Sequence, residues 1–190
     1  MKKFKRMVCI LLTMLLCFAG TVPAAAVTAN YTRASKAYKA WLKKMTSGQY
    51  NSLEYDIVDL DGNGIPELMA SGYSKEGPYS YVYTYDAKKG KMVRLKKLGL
   101  GRIMGSGITY KKSKKMFIIM SSDTARSRIW FYKVKGTKIT KAAVYEFRSL
   151  TQYPKGPNYL INNKKCSQST YTKKIKNAQK GFRSLRYTTA

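Results

Sequence analysis

The chain is 190 residues long and carries 37 Lys and Arg against 9 Asp and Glu, a formal charge of +28, with no histidine. Such an imbalance speaks of partners rather than of fold, and points toward anionic polymers, membranes or nucleic acid. The missing histidine excludes Ser-His-Asp and Cys-His nucleophiles and the common zinc sites.

The first segment reads as a leader. "MKKFKR" is a basic start, "MVCILLTMLLCFAG" an apolar run and "TVPAAAVTAN" a small-residue exit, the order found in secretory signal peptides. The expectation is a signal peptide over residues 1–29, with cleavage after Ala26 or Ala29, and a secreted, extracellular single domain over 30–190. The apolar run is shorter than the roughly 20 residues a membrane helix needs, and no later stretch could span a bilayer. Loss of Lys2, Lys3, Lys5 and Arg6 leaves 33 basic residues against 9 acidic, a mature charge of +24. Cys9 and Cys17 leave as well, so Cys166 stands alone and no intramolecular disulfide can form. About 160 residues remain, enough for one domain with a real core.

In chain order, "ASKAYKAWLKKMTSG" places Ala34, Tyr38, Trp41, Leu42 and Met45 at helical spacing, with lysines opposite and Gly48 as a stop. From Glu54 to Phe147 the period changes to that of strands. "EYDIVD" and "PELMASGY" flank an acidic loop. "YSYVYTYD" turns through "AKKG" into "KMVRLKKL", "GITY" through "KKSK" into "MFIIMSS", and "SRIWFYKV" through "KGTK" into "ITKAAVYEF". Each pair has the run-turn-run form of a hairpin. Tyr79, Tyr81, Tyr83 and Tyr85 fall on one strand face, which is read as a face covered by a helix. After a turn-rich stretch, Ser167 is positioned as an N-cap. Tyr171, Ile175, Ala178, Phe182 and Leu185 then follow at helical spacing, with Gly181 near the helix end. The fold class expected is α+β: an antiparallel meander of about eight strands, open or propeller-like, between an N-terminal and a C-terminal helix.

The acidic loop is the most specific signal. In "DIVDLDGNGIPELMASGY", Asp59, Asp61, Asn63, the carbonyl of Ile65 and Glu67 supply alternate oxygens at positions 1, 3, 5, 7 and 9, with Gly64 at position 6. Ca²⁺ takes six to eight oxygens, and a glycine permits the sharp bend that wraps it. Position 12, where an EF-hand needs a bidentate acid, is Ala70, so the loop is not an EF-hand. It resembles instead the D-x-D-x-[DN]-G-x-x-[DE] calcium loops between strands of FG-GAP and VCBS-type repeats, with "ELMAS" in place of the following strand. The likeness covers about 20 residues and occurs once. The whole chain is also similar to small secreted proteins of Gram-positive bacteria that carry one such loop in a β-rich domain with flanking helices. The resemblance implies a structural Ca²⁺ at Asp59, Asp61, Asn63, Ile65 and Glu67.

From Ala87 onward only Asp123 and Glu146 are acidic, against 27 Lys and Arg. In an up-and-down meander, the turns after odd strands share one sheet edge. That edge would carry the calcium loop together with Lys88 and Lys89, with Lys111, Lys112, Lys114 and Lys115, and with Lys135 and Lys138. The function expected is a non-enzymatic, calcium-stabilised binding module for anionic extracellular polymers: a cell-wall or cell-envelope polymer, an acidic glycan or nucleic acid. The competing readings are a membrane-active cationic protein working through the C-terminal helix, and a hydrolase whose carboxylate pair is drawn from Glu76, Asp86, Asp123 and Glu146.

Overall fold

The structure is a computed structural model that describes residues 24–46, 50–74, 77–99 and 105–189. Most of the leader, including its basic start and apolar run, lies outside them. Helix α1 (Ala24–Thr46) starts ten residues ahead of the Ala34 expected from periodicity. The added turns are the alanine-rich stretch read as the leader exit, whose composition favours helix. Both expected cleavage points therefore fall inside α1. The Thr46 hydroxyl donates to the carbonyls of Leu42 and Lys43 in the last turn.

The eight expected strands are present: β1 (Tyr50–Val58), β2 (Glu67–Ser74), β3 (Gly77–Asp86), β4 (Lys91–Gly99), β5 (Gly105–Lys111), β6 (Met116–Ser122), β7 (Arg126–Lys135) and β8 (Lys138–Arg148). They do not form one continuous meander. Together with the short strands β9 (Tyr159–Ile161), β10 (Lys164–Lys165), β11 (Arg183–Ser184) and β12 (Tyr187–Thr189) they build two open antiparallel sheets. One has the order β12-β1-β2-β3-β4, the other β10-β9-β8-β7-β6-β5-β11. Neither closes into a barrel.

The division follows from where the apolar residues point. Along β2 and β3, Leu68, Ala70, Tyr79, Tyr81 and Tyr85 face one way and pack under Ala34, Tyr38 and Leu42 of α1. Trp41 lies across the tyrosine ladder, 5.7 Å from the Tyr81 ring and 5.1 Å from that of Tyr83. Met69 and Val82 face the other way and would be left in water by a single sheet. The second sheet covers them with Ile108, Tyr110, Phe117, Ile119, Tyr132 and Val134. Each such side chain contributes about 1.5–3 kcal/mol on burial. The outer face of the second sheet (Met116, Ile118, Phe131, Tyr145) takes helix α2 (Gln168–Gln179) through Tyr171, Ile175 and Ala178. The molecule is thus layered helix, sheet, sheet, helix.

Ser167 caps α2, its hydroxyl accepting from the Thr170 amide at 3.2 Å. Gly181 ends the helical path with φ +75°, and a Cβ there would lie 3.0 Å from Lys111 Nζ. Leu185, expected to continue the α2 stripe, packs instead in the core between the sheets. The reason is the path after Gly181: β11 pairs with β5 and β12 with β1, so the C-terminal segment ties one sheet to the other. Among the described residues, no helix is long and apolar enough to cross a membrane.

Candidate metal centre

The β1–β2 hairpin turns through residues 59–66, and its carboxylates are held by backbone amides. Asp59 Oδ1 accepts from the amides of Gly62 at 2.8 Å and Asn63 at 3.1 Å, and its Oδ2 from that of Gly64 at 3.1 Å. Asp61 Oδ1 accepts from the Asn63 amide at 3.2 Å. The Asn63 side-chain oxygen accepts from the Ile65 amide at 2.7 Å. Gly64 has φ +81°, and a Cβ there would run into the Val27 side chain of α1. The loop is thereby tied to the first helix, as it is again by Tyr38, whose hydroxyl donates to the Pro66 carbonyl at 2.7 Å.

Glu67 opens β2 and is fully buried. Its Oε2 accepts from the Leu60 amide at 2.9 Å and its Oε1 from the Thr84 hydroxyl at 3.2 Å. Oxygens of Asp59, Asp61 and Glu67 lie within 4.8 Å of one another, an acidic group that could hold a metal ion. Burial pushes the Glu67 carboxyl up to about 8, and the charges of Asp61 and Asp59 add to that, against the opposing pull of the Leu60 amide and Thr84. At neutral pH three clustered carboxylates must share a proton or a cation. Carboxylate oxygen accepts more than one contact, so the amide bonds leave lone pairs for an ion. A donor set of oxygen alone suits a hard divalent cation rather than a thiolate- or imidazole-seeking one.

One contact reaches the loop from far along the chain. The amide of Gly136, in the β7–β8 turn, donates to Asp61 Oδ2 at 2.6 Å. Asp61 and that turn then line a cleft of about 430 Å³ together with Lys114, Lys115, Lys133, Lys135 and Thr140. The sequence groups the basic turns on one rim, and the structure divides them. Lys114 and Lys115, from the short 3₁₀ turn between β5 and β6, face this cleft along with Lys135. Lys138 pairs with Lys135 across the β7–β8 turn. Lys111 and Lys112, on the other flank of the β5–β6 turn, line a separate cleft with Arg183 and Arg186. Lys88 and Lys89 share the acidic loop's end of the first sheet, but their amides bond Asp86 Oδ1 and they line neither cleft.

The acids weighed for hydrolysis sit in separate networks. Asp86 holds its own turn. Asp123 accepts from the amides of Ala125 and Arg126. Glu146 lies between Arg128 and Arg148, each Nε 2.6 Å from a carboxylate oxygen. Glu76 lies outside the described residues. Sequence reasoning missed Thr84, Gly136, Lys133, Arg183 and Arg186, because each is joined to its site only by the way the sheets stack. No protein-family model, curated protein or solved structure matches the chain.

Proposed function

We propose that the protein is a secreted, non-enzymatic module that binds anionic extracellular polymers, with Ca²⁺ in the acidic loop holding the binding face in place. The observation that carries the reading is the shared cleft: Asp61 of the loop lies with Lys114, Lys115, Lys133 and Lys135 around about 430 Å³ of open space. Lysine ammonium groups so placed meet sulfate, phosphate or carboxylate groups as point charges. Asp61 alone would repel such a polymer. A cation on Asp59, Asp61 and Glu67, with Asn63 and the Ile65 carbonyl as further oxygens, removes the repulsion. The same ion fixes the loop against the Gly136 amide, and so fixes the β7–β8 turn that presents Lys135. Calcium is the cation favoured, because the donors are all oxygen and a weak site fills at extracellular concentrations.

The test is calorimetry and melting. Calcium should bind one to one and raise the melting temperature, with about 2.7 kcal/mol of added stability at a hundredfold excess over Kd. It should also tighten polymer binding, since coupling between two ligands is reciprocal. Equal melting temperatures in EDTA and calcium, with no heat of binding, would remove the ion from the account.

A further inference from the structure

The second cleft, of about 360 Å³, opens between the β5–β6 turn and the C-terminal segment. It owes its walls to the sheet-tying path after Gly181. Arg183 pairs with Tyr110 in the β11–β5 ladder, which sets its side chain beside Lys111 and Lys112. Lys111 Nζ donates to the Lys180 carbonyl at 2.9 Å and packs on Gly181, so one wall is fastened to the end of α2. Arg186 lies on the opposite side, its Nε 3.9 Å from Asp56 Oδ2. The same Asp56 oxygen accepts from the Tyr110 hydroxyl at 2.9 Å. One buried carboxylate, behind Tyr110, therefore stands against four cationic side chains. Among the described residues, neither Lys112 nor Arg183 has an acidic partner within ion-pair distance.

We propose that this cleft is a discrete site for a single phosphate group, carried as free phosphate or as a phosphate monoester. Guanidinium groups offer paired N–H donors that match the edge of a tetrahedral oxyanion, and two of them line the space, Arg183 from β11 and Arg186 from the link between β11 and β12. The volume holds a phosphate and a small alcohol portion but not a folded polymer. The site differs from the Asp61 cleft in its residues and in its dependence on calcium, so it stands or falls apart from the polymer reading.

Titration with inorganic phosphate and with glycerol 3-phosphate, in the full secreted protein and at physiological salt, tests it. Saturable one-to-one binding is expected. Equal affinity for the two probes assigns the phosphate group alone, and a several-fold gain for the ester assigns the monoester. R183Q should weaken binding by at least about tenfold, the loss of a charge-assisted bond, and R183K by several-fold, because charge remains while the fork is lost. K112Q, on an exposed turn, should weaken it without touching the fold, which guards against a misfolded R183Q. K173Q/K176Q on α2 should stay within about twofold, since neither lysine lines the site. Absence of saturation up to roughly 10 mM phosphate, or an equal loss in the K173Q/K176Q control, would overturn the assignment.

Discussion

Glu67 is an acid placed where acids rarely sit, fully buried beside two others. Its raised pKa sets the sign of a pH effect. In the unfolded chain it titrates near 4.3, in the metal-free fold near 8. Protonated Glu67 therefore contributes stability that is complete below about 4.3 and is lost as pH rises through about 8. Melting in EDTA from pH 5 to pH 8 should show this loss relative to E67Q. In that variant, the amide oxygen can keep the Leu60 bond and the amide nitrogen can face the Thr84 hydroxyl. Saturating calcium should abolish the difference, because the ion replaces the proton. A wild-type profile parallel to that of E67Q in EDTA would refute the assignment. Glu146 behaves in the opposite sense. Burial would raise its pKa, but Arg128 and Arg148 outweigh burial and hold it below the usual carboxylate range. Its contribution is present above the ordinary glutamate pKa and is lost as pH falls through the lowered value. E146A, which strands two guanidiniums, should cost about 2–3 kcal/mol in a denaturant titration. The acidic loop was legible in the sequence because five oxygens and a glycine fall within nine residues. Thr84 and Gly136 were not, since each meets the loop only through tertiary pairing, 17 and 75 residues from its partner.

At the scale of elements, α1 acts both as a lid on the tyrosine ladder and as a brace for the acidic loop. Y38F removes one hydrogen bond to the Pro66 carbonyl and should cost about 1–2 kcal/mol. It should also weaken calcium binding, because the loop loses its anchor beside Glu67. W41A opens a space against Tyr81 and Tyr83 and should cost about 2–3 kcal/mol, somewhat less than a fully buried tryptophan. Calcium affinity in W41A should hold steady, and a Y38F variant with unchanged calcium affinity would separate the brace from the site. The hairpins were readable from alternation and turn residues, and the covered tyrosine face from β-sheet preference alone. The two-sheet division was not read, although "MFIIMSS" carried a sign of it. Five consecutive apolar residues in β6 cannot all face one core, so Met116, Ile118 and Met120 go to α2 while Phe117 and Ile119 go to the first sheet. The α1 start was misplaced for a related reason: an alanine-rich exit and the first turns of a helix have the same composition.

Over the whole molecule, the stacking of two sheets gathers basic turns from distant hairpins around one carboxylate loop, while the C-terminal segment ties the sheets and builds a second cationic cleft. Lys173, Lys174 and Lys176 on α2 carry comparable charge but line neither cleft. The proposal thus predicts that position, and not charge alone, decides polymer binding. The most direct measurement is the salt dependence of affinity for a sulfated glycan of fixed length, in calcium, for wild type, K114Q/K115Q/K135Q and K173Q/K174Q/K176Q. Both variants lose three charges, so net charge is held equal between them. Counterion release makes the slope of log affinity against log salt follow the number of anionic groups contacted. The turn variant should lose about two to three units of slope and the helix variant less than about one, with wild-type affinity falling on addition of EDTA. Equal flattening in the two variants, or a larger loss in the helix variant, would contradict a binding face built around Asp61.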